Sequence, residues 1–195
     1  MKHSMWRQLG WAAIAAPALA LLAGCAGPYL LENNVQSFSS LPAPPAQPTY
    51  RFERLLSQQV PAQVELENLA DPALHKAGLR RDDSSPHYSV QLSARMQEVL
   101  SPWASFDDNW GWGPHRHGFR HSRLWGGLES PWFQREVTII VRELPSNRTV
   151  FESRAINDGP SLDGKAVFSA MFDAALQGFP NPPSGPRKVN VQVGS

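Results

Sequence analysis

His115, His117 and His121 are the one close histidine cluster of the chain. Imidazole nitrogens bind zinc, copper or nickel, and histidine-biased tracts use this chemistry. Asp107 or Asp108 offers an oxygen ligand beside them. Gly111, Gly113 and Gly118 make the stretch flexible, and no helical pattern sets His117 and His121 on one face. A metal site there forms only on binding. The same stretch, 102–131, holds or adjoins Trp103, Trp110, Trp112, Trp125 and Trp132, with Arg116, Arg120 and Arg123 interleaved. Trp and Arg dominate binding hot spots, and a flexible segment orders on contact at an entropic cost. Trp110, Trp112, Arg116, Arg120 and Trp125 are therefore the candidate partner contacts. The bland alternative is a solvated, glycine-rich excursion between two strands.

Catalytic patterns are scarce. The chain has no Gly-x-Ser-x-Gly elbow, no His-Glu-x-x-His and no Ser-x-x-Lys. Gly159-Pro160-Ser161-Leu162-Asp163-Gly164-Lys165-Ala166 nearly matches a phosphate-binding loop. Ala166 has no hydroxyl for magnesium, Pro160 removes a backbone donor and Asp163 repels phosphate, so it reads as a turn entering a helix. Asp82-Asp83 and Asp107-Asp108 are sequence neighbours, which do not converge as an acid/base pair. The expectation is a protein that is not an enzyme, with no catalytic residues.

The single cysteine carries the most specific signal. Lys2, His3 and Arg7 open the chain, and an apolar run from Leu9 to Leu22 follows, broken by Pro17. It is too short and too interrupted for a membrane span and reads as the apolar region of a secretory signal. It ends in Leu22-Ala23-Gly24-Cys25, which resembles the bacterial lipobox. Small Ala23 and Gly24 fit a narrow peptidase site; the resemblance implies a diacylglyceryl group on the Cys25 thiol and a fatty acyl group such as palmitate on its amine. Stable anchoring needs about two chains. Ala26, where an aspartate would resemble the inner-membrane retention signal, points to the outer membrane, periplasmic face. No cofactor is expected beyond this covalent lipid.

The elements that must position these residues follow from composition and period. The chain has 195 residues, 42% hydrophobic and 18% charged, with net charge +1. Removing residues 1–24 removes Lys2 and Arg7 and no acids, leaving 16 basic and 17 acidic side chains, net −1. No field favours nucleic acid or an anionic surface, and one cysteine excludes an internal disulfide. Residues 25–48 carry Leu41-Pro42-Ala43-Pro44-Pro45 and Pro48 and read as a Pro-rich tether, with a short strand about Val35 and Phe38. Residues 49–195 suit one domain.

Within it Tyr50 and Phe52 predict a strand. Ala62, Leu66, Leu69, Ala73 and Ala77 predict a helix ended by Gly78 and split at Pro72. Tyr88, Val90, Leu92, Ala94 and Met96 alternate with polar residues, and Phe133, Val137, Ile139 and Val141 repeat the pattern. Pro145-Ser146-Asn147 turns into a strand over 149–155. Residues 165–177 form a helix stopped by Gly178 and Pro180, and Val189, Val191 and Val193 a last strand. The fold class is α+β: a mainly antiparallel sheet with two helices packed on one face, preceded by the signal and tether.

The lipobox, Tyr50-Arg51-Phe52, Gly78-Leu79, Tyr88-Ser89-Val90 and Met171-Phe172-Asp173-Ala174-Ala175-Leu176-Gln177-Gly178-Phe179-Pro180 with Pro182-Pro183 are similar to proteobacterial lipoproteins of the family called domain of unknown function 4136. The resemblance spans roughly residues 33–193, implies this fold and an envelope location, and adds no catalytic residue. The insert at 102–131 departs from it. Two functional readings stand: a binding or assembly module of the cell envelope, and a metal-binding lipoprotein using His115, His117 and His121. The partners expected are the membrane, through the lipid, and an envelope protein or cell-wall glycan. The oligomeric state is open.

Overall fold

A computed structural model of the chain describes residues 29–101, 131–160 and 164–193. Seven strands form one sheet: β1 Tyr29–Ser39, β2 Thr49–Phe52, β3 Arg80–Arg81, β4 Tyr88–Val99, β5 Trp132–Glu143, β6 Arg148–Pro160 and β7 Arg187–Val193. Two helices, α1 Pro61–Lys76 and α2 Gly164–Ala175, pack with it, and a single 3-10 turn covers Leu56–Gln58. The order across the sheet is β3-β2-β4-β5-β6-β1-β7.

The α+β class and the two helices stand, but the sheet is mixed rather than mainly antiparallel. β1–β6, β1–β7, β4–β5 and β5–β6 run antiparallel, whereas β2 is parallel to both β3 and β4. The cause is the connection. A strand that passes through a helix before pairing beside its predecessor returns in the same direction. β2, α1 and β3 form such a unit, and β3 is only two residues long, with no apolar period to announce it.

The second correction concerns the tether. Residues 29–39, expected within it, are a central strand lying between β6 and β7. The inward positions of β1 are Leu31, Asn33, Val35 and Ser37. Two of the four are polar, which hides the period-two apolar pattern. The third correction is at Pro72, which lies inside an unbroken α1. Its missing N–H leaves the Asn68 carbonyl without its intrahelical donor. Asn68 and Pro72 are both on the exposed side, where water satisfies that group.

α1 starts with Pro61 at its first position and ends as expected at Gly78. There φ is +94°, and the Leu79 N–H donates to the Leu74 carbonyl at 3.0 Å. Gln63, Glu67, Ala70, Ala73 and Leu74 face inward. Glu67, 1% exposed, receives a two-pronged bond from Arg54, Nε to Oε1 at 2.6 Å and Nη2 to Oε2 at 2.5 Å. α2 buries Val167, Ala170, Met171, Phe172, Ala174 and Ala175 against Val137, Ile139, Val35 and Ala155, which lie on the inner face of the central strands. The opposite face carries Glu136, Arg154 and Glu152 and is wet.

The inner face is not wholly apolar. Ser153 Oγ donates to the Ala175 carbonyl at 2.6 Å. With its one hydrogen so used, Ser153 accepts from Ser37 Oγ at 2.9 Å. Ser37 in turn accepts from Arg187 Nη1 at 3.3 Å. Arg187 Nη2 donates to the Gln177 carbonyl at 2.7 Å. The last carbonyls of a helix lack intrahelical donors, and buried ones need a partner. This relay supplies one for α2. Ser153→Ala removes the donor to Ala175 and the acceptor of Ser37. It should lower stability by about 1–3 kcal/mol, read by denaturant unfolding. Ser37→Ala should cost less, and the reverse order would contradict the direction of the relay.

The β5–β6 hairpin is pinned at Glu143. Ser146 Oγ donates to it at 2.5 Å, and Arg148 and His87 lie at 4.0 and 3.6 Å. The Ser146 hydrogen bond holds the carboxyl below its ordinary range; burial opposes it, and Arg148 and His87 add smaller effects in the lowering direction. A carboxyl lowered on folding stabilises above its unfolded value of about 4.3 and loses that contribution as pH falls through the folded value. Glu143→Gln should thus be less stable than the parent chain at neutral pH. The gap should close as the pH is taken below the ordinary carboxylate range, as thermal melts across pH will show.

Candidate functional site at the insert end of the sheet

β4 and β5 pair along their full length, from Tyr88 opposite Glu143 to Val99 opposite Trp132. Their far ends therefore hold the two ends of the 102–131 insert side by side. Trp132 is also opposite Pro160, the last residue of β6. Asn157 Nδ2, near the end of β6, donates to the Glu32 carbonyl of β1 at 2.9 Å, and Tyr29 is opposite Val193. The start of β1 and the ends of β6 and β7 therefore lie at the same end of the sheet as the insert.

The sequence-predicted residues fall outside the described residues: Leu22, Ala23, Gly24 and Cys25; Trp110, Trp112, Arg116, Arg120 and Trp125; His115, His117 and His121. Among the described residues no three His, Cys, Asp or Glu side chains cluster to hold a metal. No described helix is long and apolar enough to cross a membrane.

Beneath the insert end lies a residue that the sequence analysis passed over. Arg135 occupies an inward position of β5, between Phe133 and Val137, and is 1% exposed. Its Nη1 donates to Asn157 Oδ1 at 3.3 Å and its Nη2 to the Pro160 carbonyl at 3.0 Å. Its guanidinium lies 5.5 Å from the Phe133 ring centre. Its Nε has no hydrogen-bond partner, nor does Asn33 Oδ1 two strands away. Among the described residues no carboxylate pairs with Arg135. Burial pulls its proton affinity below that of an ordinary guanidinium. The clue was available: Arg135 is in phase with Phe133, Val137, Ile139 and Val141, so the alternation itself turns it inward.

Elsewhere the titratable groups serve the fold. The Tyr50 hydroxyl donates a short hydrogen bond to Asp71. Burial first, and then Asp71, hold that phenol protonated well above its ordinary range, so it is a donor rather than a nucleophile. Gly159 and Pro160 close β6, Gly164 opens α2, and Lys165 pairs with Glu65 at 2.6 Å; the middle of the near phosphate-loop, Ser161-Leu162-Asp163, falls outside the described residues. Asp82 Oδ1 accepts from the Ser84 and Ser85 amides at 3.0 and 3.1 Å, and Asp83 pairs with Arg81 at 3.2 Å. An open groove of about 810 Å³ runs beside the start of α1, lined by Phe52, Arg54, Val60 and Val64 among others.

No family model matches the chain, and no curated protein sequence matches it. Solved structures do. A PDZ domain protein from Parabacteroides distasonis is 14% identical, with 90% of this chain and 42% of that protein covered and a TM-score of 0.53. This chain thus spans less than half of that protein, and the likeness is one of fold. A PelC dodecamer from Paraburkholderia phytofirmans is 12% identical over 77% of this chain and 99% of that one, with a TM-score of 0.47. A minor lipoprotein from Acinetobacter baumannii is 10% identical over 67% and 87%, with a TM-score of 0.31.

A buried guanidinium with neutral acceptors cannot be replaced by a point charge. Arg135→Lys keeps the charge but cannot span Asn157 Oδ1 and the Pro160 carbonyl. It should cost about 1–3 kcal/mol of unfolding free energy. Arg135→Met loses the same bonds but removes the buried charge, and should cost less. A lysine tolerated as well as arginine would show that this end of the core is wet.

Proposed function

We propose that this chain is a non-enzymatic lipoprotein of the bacterial envelope. In this reading it is held on the periplasmic face of the outer membrane by lipid on Cys25 and acts as a binding or assembly module through the 102–131 insert. The observation that carries the reading is positional. The first described residue of β1, Tyr29, and the two roots of the insert, Val99 and Trp132, share one end of the sheet. Only Ala26, Gly27 and Pro28 separate Cys25 from Tyr29. Four residue steps reach at most ~14 Å. A lipid on Cys25 thus holds that end of the domain, and with it the roots of the insert, close to the bilayer surface. The tryptophans and arginines of the insert then meet whatever lies in that layer, an envelope protein or a glycan.

The lipobox at Leu22-Ala23-Gly24-Cys25 supports the anchor, and the resemblance to the family called domain of unknown function 4136 supports the envelope location. Cys25→Ala should move the protein from the membrane pellet to the soluble periplasm; a variant that still pelleted would overturn the anchor. A photoreactive residue in place of Trp112 or Trp125 should capture one reproducible envelope component in cells. Absence of any adduct, with the protein lipidated, would overturn the contact role.

A further inference from the structure

The parallel edge of the sheet is uneven. β2 pairs with β4 only from Tyr88 to Val90, and β4 runs on to Val99. The Glu53 amide donates to the Val90 carbonyl at 2.9 Å. Two residues on, the Leu92 carbonyl accepts from Gln58 Nε2 at 2.7 Å and Gln63 Nε2 at 3.3 Å. These bonds fix the phase: even-numbered residues of β4 point their main-chain groups away from β5. Beyond Leu92 the N–H and C=O groups of Ala94, Met96 and Glu98 therefore face outward, and no described strand pairs with them. Their neighbours Ser93, Arg95 and Gln97 turn theirs toward β5.

Among the described residues this edge has few of the usual protections, the inward-phased Glu98 at its end being one. Proteins blunt long edges with proline, inward charges, bulges or a covering element. Ser93–Val99 contains no proline and pairs with β5 without a register shift. It is exposed from Ser93 to Glu98, with Met96 54% exposed at its centre. The other two edges are poorer templates. β3 is two arginines long, and β7 begins Arg187-Lys188.

We propose that the free edge of β4, Ser93–Val99, pairs with the same edge of a second copy of this chain, antiparallel about a two-fold axis at Met96. The two-fold register sets Met96 against Met96, Ala94 against Glu98, Arg95 against Gln97 and Ser93 against Val99. Outward groups then meet outward groups, and the three N–H and three C=O groups of each copy find partners. No like charges stand opposite one another. Arg95 also keeps its cross-strand neighbour Glu136, which pairs with Arg154. The arrangement is isologous and closes at two copies, whereas pairing of β4 with β7 of another copy would be heterologous and would propagate.

The test uses the full-length chain in isolated membranes, with the parent, carrying Cys25 alone, as background. Cα atoms of a hydrogen-bonded antiparallel pair lie about 5.5 Å apart, within disulfide range. Met96→Cys should give a linked dimer on oxidation with copper phenanthroline. Ser93→Cys puts its two thiols some 20 Å from register and should give at least about tenfold less. Equal yields, or none, would overturn the proposal. Met96→Pro deletes an outward N–H that no described partner uses, and Met96→Lys sets two ammonium groups face to face. In detergent at matched concentration each should sediment as a monomer where the parent sediments as a dimer. Met96→Lys decides the question if the proline variant does not fold. A parent that is monomeric across the accessible concentrations would also overturn the pairing.

Discussion

The Arg187–Ser37–Ser153–Ala175 relay is the constraint on which the rest of the sheet depends. A helix that ends against a sheet brings carbonyls without donors into the core. Strands alone cannot answer them, because their main-chain groups are spent on one another. Here β6 answers with Ser153, β1 backs it with Ser37, and β7 closes the line with Arg187. Each hydroxyl gives its one hydrogen onward, so donation runs β7 to β1 to β6 and ends at α2. An apolar strand in place of β1 would leave the Ala175 carbonyl its donor but take from Ser153 and Arg187 the hydroxyl that links them. A network that is fully satisfied specifies one arrangement more sharply than apolar contact does.

That same requirement explains what was legible in the sequence. β4 and β5 stand out because Tyr88, Val90 and Leu92, and Val137, Ile139 and Val141, all lie in the hydrophobic core, and a clean alternation follows. β1 does not stand out, because two of its inward positions, Asn33 and Ser37, belong to the polar lines of the core. Arg135 was overlooked for the same reason: an inward cation is read as a surface residue until the phase of its strand is taken seriously. Pro72 misled in the other direction. Its cost falls on one carbonyl, and on the wet side of α1 that carbonyl is hydrated, so the helix continues. Helix ends were readable because Gly78 and Gly178 answer a backbone requirement that few other residues meet. The candidate site was legible only as composition. Its tryptophans and histidines are visible in the sequence, but that the roots of the insert share one end of the sheet with the start of β1 follows from strand directions that no local pattern contains.

The mixed topology and the open edge have one origin. β2 is short because the chain leaves it through Arg54 to enter the 3-10 turn and α1, and Arg54 is held there by the buried carboxylate of Glu67. Gln58 and Gln63 then cover the Leu92 carbonyl, one residue pair beyond the last strand contact. What stops β2 from extending is thus an ion pair and two side-chain caps in the crossover, not any feature of β4. β4 is free to run on beside β5 past the helices, and β6 pairs with the other side of β5 as far as Trp132 opposite Pro160. Arg135, near the start of β5, bonds Asn157 and Pro160 of β6 and so adds a buried side-chain link to the strand pairing at this end of the sheet.

This end of the sheet leaves the edge of β4 unpaired among the described residues and carries the two roots of the tryptophan-rich insert. With the start of β1 at the same end, a lipid on Cys25 and the insert would share one layer, and the edge of β4 would run from that layer toward the body of the sheet. Antiparallel pairing of two such edges would point the two inserts in opposite directions along the joined strands, with their roots about 20 Å apart. Anchor, insert and edge each depend on the strand directions that the buried polar lines of the core enforce.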